Sequence, residues 1–194
     1  MNNSPTEIVI GSALCPPTIW HHAIVKALLK IQNIEKIRVV PSGPRYDKVY
    51  TLSNDIRRRL IDAFVAEFED SRVVADFTFF ESETQTTTLG MDQYYRDLIW
   101  QSPYQVFGAD VVKTMETWPN SPVDKKYLLE EMPKIFLIRQ GVEMNLEWRW
   151  NYQLMDAVIP NASSTLVREQ GRIDLLTEKV RDVYLWLNLD KNFR

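Results

Sequence analysis

Hydrophobic positions change their period again and again along this chain. Thr6 to Ile10 is a short β-branched run halted by Gly11 and Ser12, too short for a helix and suited to a buried strand. Beyond Pro16 and Pro17, Ile24, Ala27, Leu28 and Ile31 fall at helical spacing. They predict a helix from about Ile19 to Gln32, which the prolines can open but could not continue from upstream. Lys36 to Val40 reads as a second strand, closed by Pro41, Ser42, Gly43 and Pro44, all turn formers. Ile56, Leu60, Ile61, Phe64, Val65 and Phe68 then keep one apolar stripe, so Asn54 to Glu69 should be helical.

The alternation continues with Val73 to Phe77 extended, Met91 to Gln101 helical and Tyr104 to Phe107 extended. Val111 to Trp118 follows as helix, and Lys134 to Ile138 and Met155 to Ile159 as strands. Two helical stretches close the chain, near Thr165 to Gln170 and Glu178 to Asn188. In the last, Val180, Val183, Tyr184 and Leu187 recur at i, i+3, i+4 and i+7 behind a cap at Thr177. Strand and helix alternating over the whole length predict an α/β domain with a mainly parallel, doubly wound sheet and a small C-terminal helical part.

Composition narrows the class. At 194 residues, 45% hydrophobic and 25% charged, the chain is expected to form one domain, 1–194, with a packed core. A net charge of −3 lacks the basic balance of a duplex-binding module, so an anionic ligand must meet a local patch. One cysteine excludes an internal disulfide and a four-cysteine zinc site. The first residues carry no basic segment ahead of an apolar run, and no 18-residue apolar stretch occurs. The expectation is a cytoplasmic protein with no membrane or nucleic-acid partner.

In open α/β sheets ligands bind at the carboxyl ends of the strands, and three such places carry chemistry. Gly11-Ser12-Ala13-Leu14-Cys15-Pro16-Pro17-Thr18-Ile19-Trp20-His21 joins the first strand to a helix. Thr18 and His21, three apart, share a face of its first turn, where the helix dipole favours a phosphate by roughly 0.3–1 kcal/mol. The same pair would equally serve as a cap, and the Gly-Lys-Ser/Thr ending of a Walker loop is missing. Asn161-Ala162-Ser163-Ser164-Thr165-Leu166-Val167-Arg168 opens another helix with three hydroxyls and an arginine. One hydroxyl suffices for capping; all three with the guanidinium fork suit phosphate oxygens. Gly108-Ala109-Asp110 with Trp118 places a carboxylate at a helix start and an aromatic ring behind it, either cap and core or a seat for hydroxyls and a flat base.

Taken together, these segments resemble the nicotinate or nicotinamide mononucleotide adenylyltransferases, of the nucleotidyltransferase superfamily marked by a His-x-Gly-His or Thr-x-x-His signature. Thr18 and His21 stand at the signature positions. Pro41-Ser42-Gly43 with Lys48 resembles the second strand and its basic loop, Gly108-Ala109-Asp110 with Trp118 the Gly-x-Asp…Trp element, and Phe136 to Arg139 the penultimate core strand. Ser163 to Arg168 resembles the Ser-Ser-Thr-x-Ile-Arg motif, and Thr84 to Thr88 loosely resembles a stretch that holds the pyridine ring. Ala13, Leu14, Cys15 and Trp20 depart from the family pattern.

The resemblance implies a Rossmann-like fold and adenylyl transfer from ATP to a pyridine mononucleotide, giving the dinucleotide and pyrophosphate, with Mg2+ carried by ATP. It places ATP on Gly11, Ser12, Ala13, Thr18, His21, Gly108, Asp110, Ser163, Ser164, Thr165 and Arg168, with His21 and Thr18 catalytic. The mononucleotide falls to Lys48, Thr86, Trp118 and Arg139, with Asp110 also facing that side. Another adenylyl- or cytidylyltransferase, such as a pantetheine-phosphate enzyme, and a nucleotide-binding protein without activity stay open as alternatives, as does assembly into a homo-oligomer. Arg57-Arg58-Arg59 reads as a solvated helix face rather than a nucleic-acid site. Between Lys36 and Arg59 seven basic residues face two acidic ones, so the acidic chain contains one basic segment beside the second strand.

Overall fold

The computed structural model describes residues 6–44, 50–82, 87–138, 150–156 and 160–190. Strands β1 (Thr6–Ser12), β2 (Ile34–Pro41), β3 (Val73–Ala75), β4 (Tyr104–Gly108), β5 (Lys134–Ile138) and β6 (Tyr152–Asp156) form one sheet in the order β3-β2-β1-β4-β5-β6. Every neighbouring pair is parallel. The expected doubly wound sheet is therefore present, and its order reverses between β1 and β4. Such reversal opens a crevice at the carboxyl ends of the strands.

Parallel strands need crossovers, and the helices supply them: α1 (Ile19–Leu28), α2 (Asn54–Val65), α3 (Thr88–Ile99), α4 (Ala109–Met115), α5 (Pro122–Lys126), α6 (Ser164–Gln170) and α7 (Glu178–Trp186). Alternate residues of β1 serve the two faces. Ile8 and Ile10 join the core under α1, α2 and α7, with Ile24, Leu28, Leu60, Phe64 and Val180. Val9 points the other way, to Val40, Met91 and Tyr95 under α3. Farther along that sheet, Val112, Met115, Leu128, Met132, Phe136 and Trp150 form a second cluster. Burial on both faces is what the near-continuous apolar runs of the central strands require.

Several boundaries differ from the sequence expectation. The last strand is Tyr152–Asp156, not Met155 to Ile159, of which 157–159 lie outside the described residues. It is an edge strand with Gln153 and Leu154 exposed, so its apolar pattern is weak. α4 starts and ends earlier than Val111 to Trp118, because Gly108 is already its N-cap. Similarly, α3 begins at Thr88, where Thr87 accepts from the Gly90 N–H at 3.0 Å, and stops at Trp100, which adopts φ 58°. The helix α5 and the π-wound turn Tyr127–Glu131 that continues it carry no long apolar stripe and escape a periodicity search.

Candidate functional site

The loop after β1 is held in an unusual course. Leu14 takes φ 46°, a conformation that costs an L residue roughly 1–2 kcal/mol, and its side chain is buried in the core with Cys15. Pro16 follows Cys15 through a cis peptide bond. The chain then enters α1 with Thr18 as N-cap and His21 at the third helical position in a capping box. The Thr18 N–H donates to His21 Nδ1 at 3.1 Å, and Thr18 Oγ1 lies 3.1 Å from the same nitrogen. A backbone N–H cannot reverse its role, so Nδ1 is the acceptor and the proton of the neutral ring resides on Nε2. Nε2 in turn lies 3.2 Å from Ser12 Oγ at the end of β1. The expected pair Thr18 and His21 is thus one unit with Ser12, largely buried, and its imidazole N–H faces the strand ends. Trp20, where the family pattern has glycine, sets its ring edge-on to His21 at 5.0 Å between centroids.

The second expected cluster folds onto the same loop. Ser163 caps α6 by accepting from the Leu166 N–H at 3.2 Å. Ser164 Oγ donates to the Pro16 carbonyl at 2.7 Å, and Arg168 Nη1 donates to the Cys15 carbonyl. Arg168 Nη2 lies 3.4 Å from Thr165 Oγ1. Two hydroxyls are therefore engaged structurally, while Arg168 brings a cation to the loop that leads into α1 and His21. Gly171, at φ 63°, ends the helix, a conformation suited to glycine.

Other expected residues are more dispersed. Gly11 runs close under α3: a Cβ there would stand 2.7 Å from Met91 Cε. Gly108 ends β4 beside the switch point and caps α4, and Asp110 lies in the first turn of that helix, its side chain outside the described residues. Trp118 belongs to the second cluster, edge-on to Phe107 at 6.2 Å. Lys48, Thr86 and Arg139 lie outside the described residues. A cleft of about 870 Å³ between α3 and α5, lined by Leu89, Asp92, Arg96, Val123 and Tyr127, includes none of the expected ATP residues.

One expectation is corrected. Arg57 is not on a solvated face; it is 1% exposed and its Nη2 donates to the carbonyls of Ala13 and Ser42, each at 2.8 Å. Its guanidinium carbon lies 3.9 Å from the Tyr50 ring centroid and 4.6 Å from that of Phe80. Burial lowers its pKa from the ordinary arginine value. Arg58, by contrast, pairs with exposed Glu81 at 3.1 Å, and Arg59 is exposed. The signal for Arg57 was available: it stands three, four and seven residues before Leu60, Ile61 and Phe64, at the phase of the buried stripe.

Hydroxyls, an imidazole N–H, a guanidinium and the start of α1 make a donor set for phosphate oxygens. Among the described residues no group of three or more His, Cys, Asp or Glu gathers that could hold a metal ion. No helix among them is long and apolar enough to cross a membrane.

No protein-family model matches the chain. Individual proteins do. It is 22% identical over 187 residues, 93% of each chain, to a protein of Sulfurovum sp. (strain NBC37-1) named "Probable nicotinate-nucleotide adenylyltransferase". One of the same name from Acholeplasma laidlawii is 27% identical over 95% of this chain and 88% of its own. Among solved structures, the nicotinic acid mononucleotide adenylyltransferase of Plasmodium falciparum complexed with NaAD superposes with a TM-score of 0.73, covering 97% of this chain and 98% of that one at 19% identity. The fold is the nucleotidyltransferase form of the Rossmann sheet, and the like-named relatives match this chain over nearly their full length. In sequence and in fold the chain is thus similar to proteins named as nicotinate-nucleotide adenylyltransferases.

Proposed function

We propose that this protein transfers the adenylyl group of ATP to nicotinate mononucleotide, or to its amide, in the synthesis of the pyridine dinucleotide. An oxygen of the mononucleotide phosphate attacks the α-phosphorus of ATP. The bond from that phosphorus to the bridging oxygen of the β-phosphate breaks, and pyrophosphate leaves with the electron pair. No protein nucleophile takes part. Catalysis then rests on holding two phosphates in line and stabilising charge on the equatorial oxygens.

The observation that carries this reading is the meeting of two remote segments on one loop. His21 presents Nε2–H at the end of β1, and Arg168 reaches the Cys15 carbonyl of that loop from α6. His21 and Thr18 act at the transferring phosphate, with Gly11, Ser12 and Ala13 lining its approach. Arg168, Ser163, Ser164 and Thr165 hold the β- and γ-phosphates, and Gly108 and Asp110 complete the ATP side. Lys48, Thr86, Trp118 and Arg139 receive the mononucleotide. The donor set described above takes oxygen anions and offers magnesium no protein cage, so the ion enters as part of the MgATP substrate, bound by phosphates and water. The setting is cytoplasmic.

Pyrophosphate release from ATP, with nicotinate mononucleotide, nicotinamide mononucleotide and phosphopantetheine offered separately, tests the reading. Release with a pyridine mononucleotide, and appearance of the dinucleotide on chromatography, is the expected result. Turnover of phosphopantetheine instead, or nucleotide binding without turnover of any acceptor, would overturn it.

A further inference from the structure

The ladder between β1 and β2 ends with Ser12 opposite Pro41, and one last bond runs from the Ser42 N–H to the Ser12 carbonyl at 2.9 Å. Just beyond it, the carbonyls of Ala13 and Ser42 have no rung left to join, and a buried carbonyl must find a donor. Arg57 supplies both bonds from one nitrogen, Nη2, at 2.8 Å each. Its Nη1 lies 3.4 Å from Asn54 Oδ1, and the rings of Tyr50 and Phe80 fix the plane of the fork. Tyr50 is itself tied to Ser42 through a hydroxyl pair at 2.8 Å. These described partners are carbonyls, an amide and ring faces rather than a carboxylate. Burying a cation this way is costly, and the result is a rigid clamp across two strand ends.

We infer that Arg57 is a positioning residue for adenylyl transfer: its clamp sets the separation of the turn after β1, which leads from Ser12 to His21, from the end of β2 at Ser42, so that the transferring and attacking phosphates meet in line. The inference rests on the activity proposed above. A shift of about 1 Å in such an alignment costs on the order of 100-fold in rate, while the separate binding of each substrate is hardly touched. Lysine cannot reproduce the clamp, because its point charge lacks the planar fork that lies between two rings.

The test compares wild type, Arg57→Lys and Tyr50→Leu, the last removing one ring face and leaving the arginine in place. Arg57→Lys is expected to lower kcat at least tenfold with both KM values within about threefold, and Tyr50→Leu to shift kcat the same way by less. Hydrogen exchange is expected to quicken at amides 12–15, 42 and 43 in both variants, with α7 unchanged. Wild-type kcat in Arg57→Lys, or loss expressed only in KM, overturns the inference. So does unaltered exchange at the two loops, a readout that needs no turnover; if Arg57→Lys does not fold, Tyr50→Leu decides by the same measures. Should wild type release no pyrophosphate with any acceptor, the proposed activity fails and the positioning role falls with it, while quickened loop exchange would still identify the clamp.

Discussion

Replacing Lys134 by methionine should change how stability depends on pH. Lys134 opens β5 with its side chain fully buried. Its ammonium donates to the carbonyls of Leu128 at 2.7 Å and Met132 at 2.5 Å, where the π-wound turn after α5 comes to its end. Burial pulls its pKa from 10.5 down to about 8, with the charge of Asp92 opposing the shift. Asp92 is itself buried, accepts from Tyr127 Oη at 2.7 Å, and has its pKa raised, mainly by burial. In the unfolded chain the lysine titrates near its ordinary value. Between about pH 8 and 10.5, therefore, the unfolded state holds more protons than the folded one, and stability from this group rises with pH. Below that window the folded protein bears the whole cost of burying the charge; above it the cost is gone. At about 1.4 kcal/mol per pH unit, the displacement caps the gain at about 3 kcal/mol. Lys134→Met leaves two carbonyls without a donor, an offset of about 1–3 kcal/mol apiece that does not vary with pH. Urea unfolding of both proteins from pH 7.5 to 10.5 reads the difference directly. The wild type should gain on the variant by up to about 3 kcal/mol across the window. Parallel curves would refute the reasoning, since they would mean the amine titrates alike folded and unfolded.

His21→Ala should lower turnover by about two orders of magnitude or more while costing about 1 kcal/mol of stability through the lost capping box; near-normal pyrophosphate release would remove His21 from the mechanism. Arg168→Ala should weaken MgATP binding at least tenfold by calorimetry, as expected for a lost charge-assisted phosphate contact, and unchanged affinity would place the β- and γ-phosphates elsewhere. Gly11→Ala brings a methyl to 2.7 Å from Met91 Cε, the far end of a flexible chain that can give way, so it should cost only about 1 kcal/mol, the low end of overpacking. Shortening Met91 to alanine should relieve that cost, giving a favourable coupling of about 0.5 kcal/mol or more in a denaturation cycle; strict additivity would show that the two do not meet.

The central strands and α1, α2 and α7 were legible because each buries a continuous run or stripe of its own. α5 was not: its start rests on the Ser121 cap, and the π-wound turn after it is braced by bonds from Lys134, a residue of the next strand. Thr18 and His21 were legible as a pair because their contact is local, three residues apart on one turn. That Ser164 and Arg168 would grip the carbonyls of Pro16 and Cys15 was not, since motif resemblance could associate the segments but no local pattern relates residues so far apart.

Arg57 is the instructive failure, because local pattern did contain it. A run of three arginines invites reading as solvated charge, and two of the three bear that out. Helical phase separates the third: Arg57 occupies the stripe of Leu60, Ile61 and Phe64, one turn nearer the helix start. In a doubly wound sheet each crossover helix starts level with the strand ends, and here the ladder has already run out at Ser12 and Pro41. The first stripe position of α2 therefore overhangs the sheet and meets loop carbonyls as well as the rings of Tyr50 and Phe80. A leucine there would leave the carbonyls of Ala13 and Ser42 unpaired, while a long planar donor satisfies both. A charged residue at the apolar phase in the first turn of such a helix is thus better read as a brace on the functional loops than as surface.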